Sequence, residues 1–395
     1  MLEDKFMVET ILTAFASFFL NPIVCIGFIT LFIIAHWRVK QERSSFHTRV
    51  YARRADFLLS TIPSIVTGVL VSIVTIAAGV VLPTDILVAI TLATLLLLLT
   101  GQMHWLTPTY VFFLVALYLV VFPQFIEFTF LEIGEQPYLY AAIMFSVAVL
   151  LFSQGILVKK DGRKLISPQL KKGKRGRFIG VHKINRLWIV PVVFFIPESA
   201  FILPWPWPTF SIGSESIQPI LFPILLGFKQ QSHNHLETRF YHYTRVYLLL
   251  AGIAAVSTMI LLYFPNEWLF VSILGFIALL HAISQMTIRN KEKKDTVFFT
   301  EEEESCRVVG VLPNSPADKM KILLGEQISK VNGQTVHDEM TLYQALQKNP
   351  VYCKIEVKDK NGEKRFVQGP LYSGEHYQLG VLLVRKQEKL SNSII

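Results

Sequence analysis

Between residues 6 and 288 the sequence runs apolar again and again for about the length of a membrane-crossing helix, breaking only for short polar loops. A helix needs about 20 apolar residues to cross the hydrocarbon core. The spans expected on that basis are 11–35, 57–82, 86–103, 106–126, 137–158, 187–204, 246–264 and 267–288. A shorter run, 217–228, is a ninth candidate, broken by Pro219 and Pro223 and read as a half-helix or re-entrant segment. Asn21-Pro22 predicts a break in the first span. The chain is 52% hydrophobic and 17% charged, against about 25% charged in soluble domains. The apolar excess ends near Arg289. The expected fold is therefore an α-helical polytopic membrane domain of about eight or nine spans, residues 1–290, with a small α+β domain at 300–386 and a tail at 387–395.

The formal charge of +9 sits largely in loops. Lys and Arg there set topology and meet anionic headgroups, and no helix-turn-helix, RNP or zinc-knuckle pattern points to nucleic acid. Arg38, Lys40, Arg43, Arg49, Arg53 and Arg54 follow the first span, eleven Lys and Arg lie in 159–186, and Lys229, Arg239 and Arg245 lie in 229–245. Residues 127–136 carry only acidic charge: Glu127, Glu132 and Glu135. One orientation places every basic loop and the C-terminal domain in the cytoplasm. The N-terminus is then outside if the ninth candidate crosses and inside if one candidate fails. Glu3 and Asp4 replace the basic start of a signal peptide, so the first span is expected to stay.

Two strings hint at a repeat. Asn21-Pro22-Ile23 leads to Thr48-Arg49-Val50-Tyr51, and Gln218-Pro219-Ile220 leads to Thr244-Arg245-Val246-Tyr247. Catalytic signatures do not emerge. His233-Asn234-His235-Leu236-Glu237 lacks the HExxH spacing of a zinc protease, and there is no serine elbow, Walker loop or GxGxxG turn. Glu198, among Pro191, Pro197 and Pro204, reads as an interfacial structural carboxylate. His104 and His281 read as interfacial, and Trp205-Pro206-Trp207-Pro208 as an aromatic belt. Cys25, Cys306 and Cys353 are too scattered for a disulfide framework or zinc site. No catalytic residue, metal ligand or cofactor is expected.

The last hundred residues alternate as strands at 305–312, 327–331, 351–358, 363–368 and 377–384. Asp338 caps a helix reaching about Lys348. Asn314-Ser315-Pro316-Ala317, Gly325-Glu326-Gln327-Ile328 and Val331-Asn332-Gly333 resemble the bacterial PDZ pattern over about 85 residues. Lys321 stands where that pattern has glycine, and Glu326 where it has aspartate. The order of elements resembles the permuted PDZ domains of bacterial membrane proteases, which implies that the peptide-binding strand comes last. Tyr377, Gln378, Leu379 and Gly380 would then form the carboxylate-binding loop, and Val381 would begin the strand a partner extends. Glu339, Tyr343 and Leu346, at i, i+4 and i+7, would line the pocket. A side chain at Gly380 is expected to crowd the partner's backbone, so that Gly380→Val weakens binding and leaves the fold largely intact.

Many spans followed by one permuted PDZ-like domain, without a protease motif, resemble the MinJ family. Phe18-Phe19-Leu20-Asn21-Pro22 and Arg49-Val50-Tyr51 also resemble it. The resemblance implies a non-enzymatic scaffold at septum and poles of Gram-positive rods, bridging a DivIVA-like curvature marker to a MinD-like ATPase. The alternatives are a PDZ-gated intramembrane peptidase or regulator, and a transporter-like protein.

Overall fold

The computed structural model describes residues 16, 18–121, 138–173, 176–196, 218–234, 237–300, 305–349, 351–359, 361–371 and 379–384. Glu198, Trp205 to Pro208 and the acidic loop at 127–136 lie outside the described residues. Among the described residues, five helices are long and apolar enough to cross a membrane. They are α1 (Pro22–Phe46), α2 (Arg53–Ala78), α5 (Leu139–Asp161), α6 (Glu237–Tyr263) and α7 (Glu267–Lys294). Two shorter apolar helices, α3 (Thr84–Leu99) and α4 (Pro108–Val121), complete the helical layer. Asn21-Pro22 is a break, as expected: Phe18 to Leu20 are helical, Asn21 is a bend, and α1 starts afresh at Pro22. The Asn21 side chain accepts from Ile23 N–H at 2.9 Å, and proline at the first helical position has no N–H to orphan.

Of the expected spans at 187–204 and 217–228, the described parts, 187–196 and 218–228, are strands and not helices. They belong to a three-stranded antiparallel sheet of β1 (Ser167–Lys172), β2 (Phe178–Ile196) and β3 (Gln218–Ser232), in the order β1-β2-β3. Trp188-Ile189-Val190 and Val192-Val193-Phe194-Phe195 are β-branched and aromatic, which favours a pleated strand over a helix. The run is apolar on both faces because helices cover both. Trp188, Val190, Val192 and Phe194 are almost wholly buried.

A sheet in an apolar setting must satisfy its backbone without water, and this hairpin is not closed into a barrel. Helices do the work at its edges. Ser72 Oγ accepts from Val193 N–H at 3.0 Å, and Thr75 Oγ1 donates to Val193 O at 2.7 Å. Phe195 N–H donates to Val80 O, and Leu82 N–H to Phe195 O. On the other edge Gly227 N–H donates to Leu106 O, and Gln154 Nε2 to Gly227 O at 2.9 Å. Backbone groups alternate sides along a strand. Pro191 therefore shares its edge with Val193, and Pro219 and Pro223 share theirs with Gly227. The prolines that looked like helix breakers occupy edge positions, where a missing N–H leaves nothing unsatisfied.

Close packing of α2 on β2 follows from small residues. Ser60, Ser64, Gly68 and Ser72 recur every fourth position and are buried, while Leu58, Ile62, Ile65, Val69 and Ile73 are exposed. A Cβ at Gly68 would meet Pro191 O at 2.3 Å.

The proposed repeat is overturned. Asn21-Pro22-Ile23 caps a helix, whereas Gln218-Pro219-Ile220 opens a strand. Thr48 to Tyr51 is a loop, whereas Thr244 to Tyr247 lies within α6. His281 is buried inside the helical layer, 1% exposed and stacked on Tyr110 at 5.1 Å between ring centroids.

The C-terminal region is a β-rich domain of β4 (Cys306–Val311), α8 (Pro316–Lys319), β5 (Gln327–Val331), β6 (Gln334–Thr335), α9 (Glu339–Gln347), β7 (Tyr352–Lys358), β8 (Lys364–Pro370) and β9 (Val381–Leu383). The strand order is β8-β7-β5-β4-β9, with β6 beside β5. Asp338 caps α9 as the sequence predicts, in a capping box with Thr341. Cys306 and Cys353 are free and buried, and burial pushes the Cys353 thiol up to about 12.

Candidate protein-recognition site

Among the described residues β9 is an edge strand of the C-terminal sheet, paired on its β4 side through Val311↔Val381, Gly310↔Leu382 and Val308↔Leu383. Gly380 O accepts from Leu312 N–H at 2.8 Å, and Leu379 O accepts from Ala317 N–H at 3.0 Å. By alternation, Val381 and Leu383 turn their backbone N–H and C=O away from β4, toward the open side. Those groups are the template a further strand would use.

The side chains named from the sequence divide into three sets. Leu379 and Leu346 are core residues, 1% and 0% exposed, and are not free to line an open pocket. Tyr343 and Val381 are half-buried and pack on the margin of that same core, one from α9 and one from β9. Glu339 is exposed in the first turn of α9. Tyr377 and Gln378 lie outside the described residues.

Gly380 has a role the sequence did not show. Its φ is +86°, and an added Cβ would lie 2.2 Å from Ser315 Cβ. The position is needed to pack the last strand against the turn that opens α8. The expected mild effect of Gly380→Val on the fold is therefore corrected: valine there damages the domain itself. The two departures from the PDZ pattern also resolve. Lys321 takes the glycine conformation, at φ +58°. Glu326, 2% exposed, accepts from Leu323 N–H at 2.8 Å and pairs with Arg365 at 2.7 Å.

The domain is held against the basic end of the helical region. The outer face of β4 and β9, with Val309 and Leu382, packs on Phe46, Val50 and Phe299, flanked by Tyr51, Leu170 and Leu312. His182 Nε2 lies 2.7 Å from Val309 O, and Gly180 N–H donates to Phe299 O at 2.8 Å. A Cβ at Gly180 would strike Phe299 Cβ at 2.8 Å, so glycine permits the approach.

Three arginines counted as topology signals prove to be structural. Arg38, 8% exposed, donates Nη2 to Asp56 Oδ2 and Nη1 to Glu42 Oε1, each at 2.7 Å, and reaches Tyr51 O and Ala52 O at 3.2 Å. Glu42 Oε2 accepts from Val50 N–H. This cluster shapes the loop on which the domain rests. Arg186 is buried in β2 and donates to Leu59 O, and Arg239 pairs with Glu292 at 2.9 Å. Charge counts alone carry no mark of such burial; the acidic partners Glu42 and Asp56 were the available signal.

No family model matches the chain. It is 29% identical over 376 residues to the cell division topological determinant MinJ of Bacillus subtilis (strain 168), covering 93% of each protein. It is 24% identical over 234 residues to a probable cell division topological determinant MinJ of Lacticaseibacillus paracasei, covering 56% of this chain and 59% of that one. The chain is thus MinJ-like along nearly its whole length.

Proposed function

We propose that this MinJ-like chain is a membrane-anchored adaptor for division-site placement. Seven helices and the two strands of the hairpin run in turn between the two ends of the helical region, making nine passes. The basic loops after α1, α5 and β3 gather at the end where the C-terminal domain docks. Positive charge favours the cytoplasmic side, so that end and the domain face the cytoplasm and the N-terminus is outside. The domain is PDZ-like, and its groove lies between β9 and α9. An extended segment of a partner adds to β9 through Val381 and Leu383, with Tyr343 contacting its side chains. Partners of the DivIVA and MinD kinds fit the role that the relatives' names describe, at septum and poles. The reading assigns no catalytic step.

The observation that carries this is the edge of β9, unpaired among the described residues, on a domain docked against the basic end of the helices. The test is a fluorescent fusion in dividing cells. The wild-type chain should form foci at septa and poles. Tyr343→Arg, which places a charge at the groove, should disperse them over the membrane at unchanged protein level. A uniform wild-type signal, or foci unaffected by Tyr343→Arg, would overturn the proposal.

A further inference from the structure

On the flank of the helical region, α6 and α7 border a groove of about 640 Å³. Its walls change character along the helices. Leu249 and Ile283 lie toward one end and Arg239 and Lys291 toward the other, with Arg245, Val246, His242 and Ile288 between them. Ten residues separate Arg239 from Leu249, which is about 15 Å at the rise of an α-helix. Leu249 is 68% and Ile283 49% exposed, so the apolar end opens sideways on the surface that this reading places in lipid.

The cations differ in their commitments. Arg239 is bound to Glu292 and Asp295, at 2.9 and 3.2 Å. Arg245 and Lys291 are exposed and make no salt bridge among the described residues. The Arg245 guanidinium stacks over the Tyr241 ring at 3.9 Å, which orders it without neutralising it. A soluble anion would satisfy these charges and leave the apolar end bare. A neutral apolar ligand would do the reverse. Only an amphiphile with an anionic head matches both ends.

We infer that this groove holds one anionic phospholipid, its phosphate between Arg245 and Lys291 and an acyl chain along Leu249 and Ile283. The inference rests on the membrane reading above and goes beyond the general attraction of basic loops to anionic lipid. It places a single lipid beside Glu292, whose carboxylate also accepts from His233 N–H on the segment leaving β3. The lipid would thus sit against the polar joint between hairpin and helices.

The test is native mass spectrometry of the full chain in detergent, titrated with phosphatidylglycerol, with phosphatidylcholine of the same acyl chains, and with glycerol phosphate. Phosphatidylglycerol should bind with a stoichiometry of one and outcompete both controls. Replacing two surface cations at about 1 kcal/mol each corresponds to roughly thirtyfold, and Arg245→Gln with Lys291→Gln should weaken binding by about that factor. Ser284→Trp fills the groove with no change of charge and should weaken it too. Arg53→Gln with Arg54→Gln removes two exposed charges elsewhere at the same end and should change nothing. Equal binding of phosphatidylcholine or glycerol phosphate, groove variants that bind like the wild type, or an equal loss in the Arg53 and Arg54 variant would each overturn the inference. Alkaline carbonate extraction separates the two readings. A chain that stays in the membrane but lacks the selective site sinks this inference alone, whereas a chain that is extracted sinks the membrane reading as well.

Discussion

The hairpin of β2 and β3 and the sheet of the C-terminal domain both end in strand edges, and the molecule treats those edges in opposite ways. Along the hairpin, Ser72 and Thr75 reach out from α2 to meet Val193, Leu106 and Gln154 meet Gly227, and prolines stand where a partner is lacking. Along β9, backbone pairing among the described residues is confined to the β4 side. Water explains the difference. An unpaired amide costs little where solvent reaches it, and several kcal/mol where it does not. A closed edge therefore belongs to structure, and on the proposed reading an open edge that solvent reaches is available for recognition.

The comparison breaks first at Gly68. Gly68→Val places a Cβ against the Pro191 carbonyl, and backbone cannot yield as a flexible side chain does. A loss above about 3 kcal/mol is expected. It should appear as the disappearance of the monodisperse peak in size-exclusion chromatography of detergent-solubilised protein. A normal peak would mean that β2 does not lie on α2.

Closing groups come next. Ser72→Ala with Thr75→Val removes the partners of Val193 without changing volume much. Each buried backbone group left unsatisfied costs about 1–3 kcal/mol, so a clear fall in the melting temperature is expected by differential scanning fluorimetry. The same assay on Thr287→Val, whose hydroxyl only bonds back to Ile283 O in its own helix, should show little change. Equal effects would remove the special status of the hairpin edge.

The smallest effect belongs to the C-terminal domain. Lys321 holds a left-handed conformation that costs a non-glycine residue about 1 kcal/mol. Lys321→Gly should raise the domain's stability by about that much in urea unfolding. A decrease would show that the lysine side chain compensates for its own backbone.

Much of this was legible in the sequence, for reasons tied to particular residues. The long apolar runs gave the helices because length and composition suffice for that inference. Asp338 was legible as the cap of α9 because capping is local. The hairpin was misread because a strand covered on both faces loses its period of two and becomes an apolar run of helical length. The β-branched and aromatic content of 187–196 was the signal that could have corrected it. Tyr343 and Val381 do border one core, but periodicity places Leu346 on a face without saying how deep it lies. Gly380 was singled out correctly as special but for the wrong neighbour, since its contact with Ser315 joins segments 65 positions apart, which no local pattern reports.

The central claim is that the open edge at β9, and not the region's surface at large, receives the partner. Site-specific photo-cross-linking in dividing cells tests it most directly, with the reactive residue at Tyr343 beside β9 and, separately, at the exposed Lys348 just past the end of α9. The account predicts a discrete protein adduct from position 343, lost when Val331→Asp unfolds the domain core, and none from position 348. No adduct at 343, or the same adduct from both positions, would contradict it.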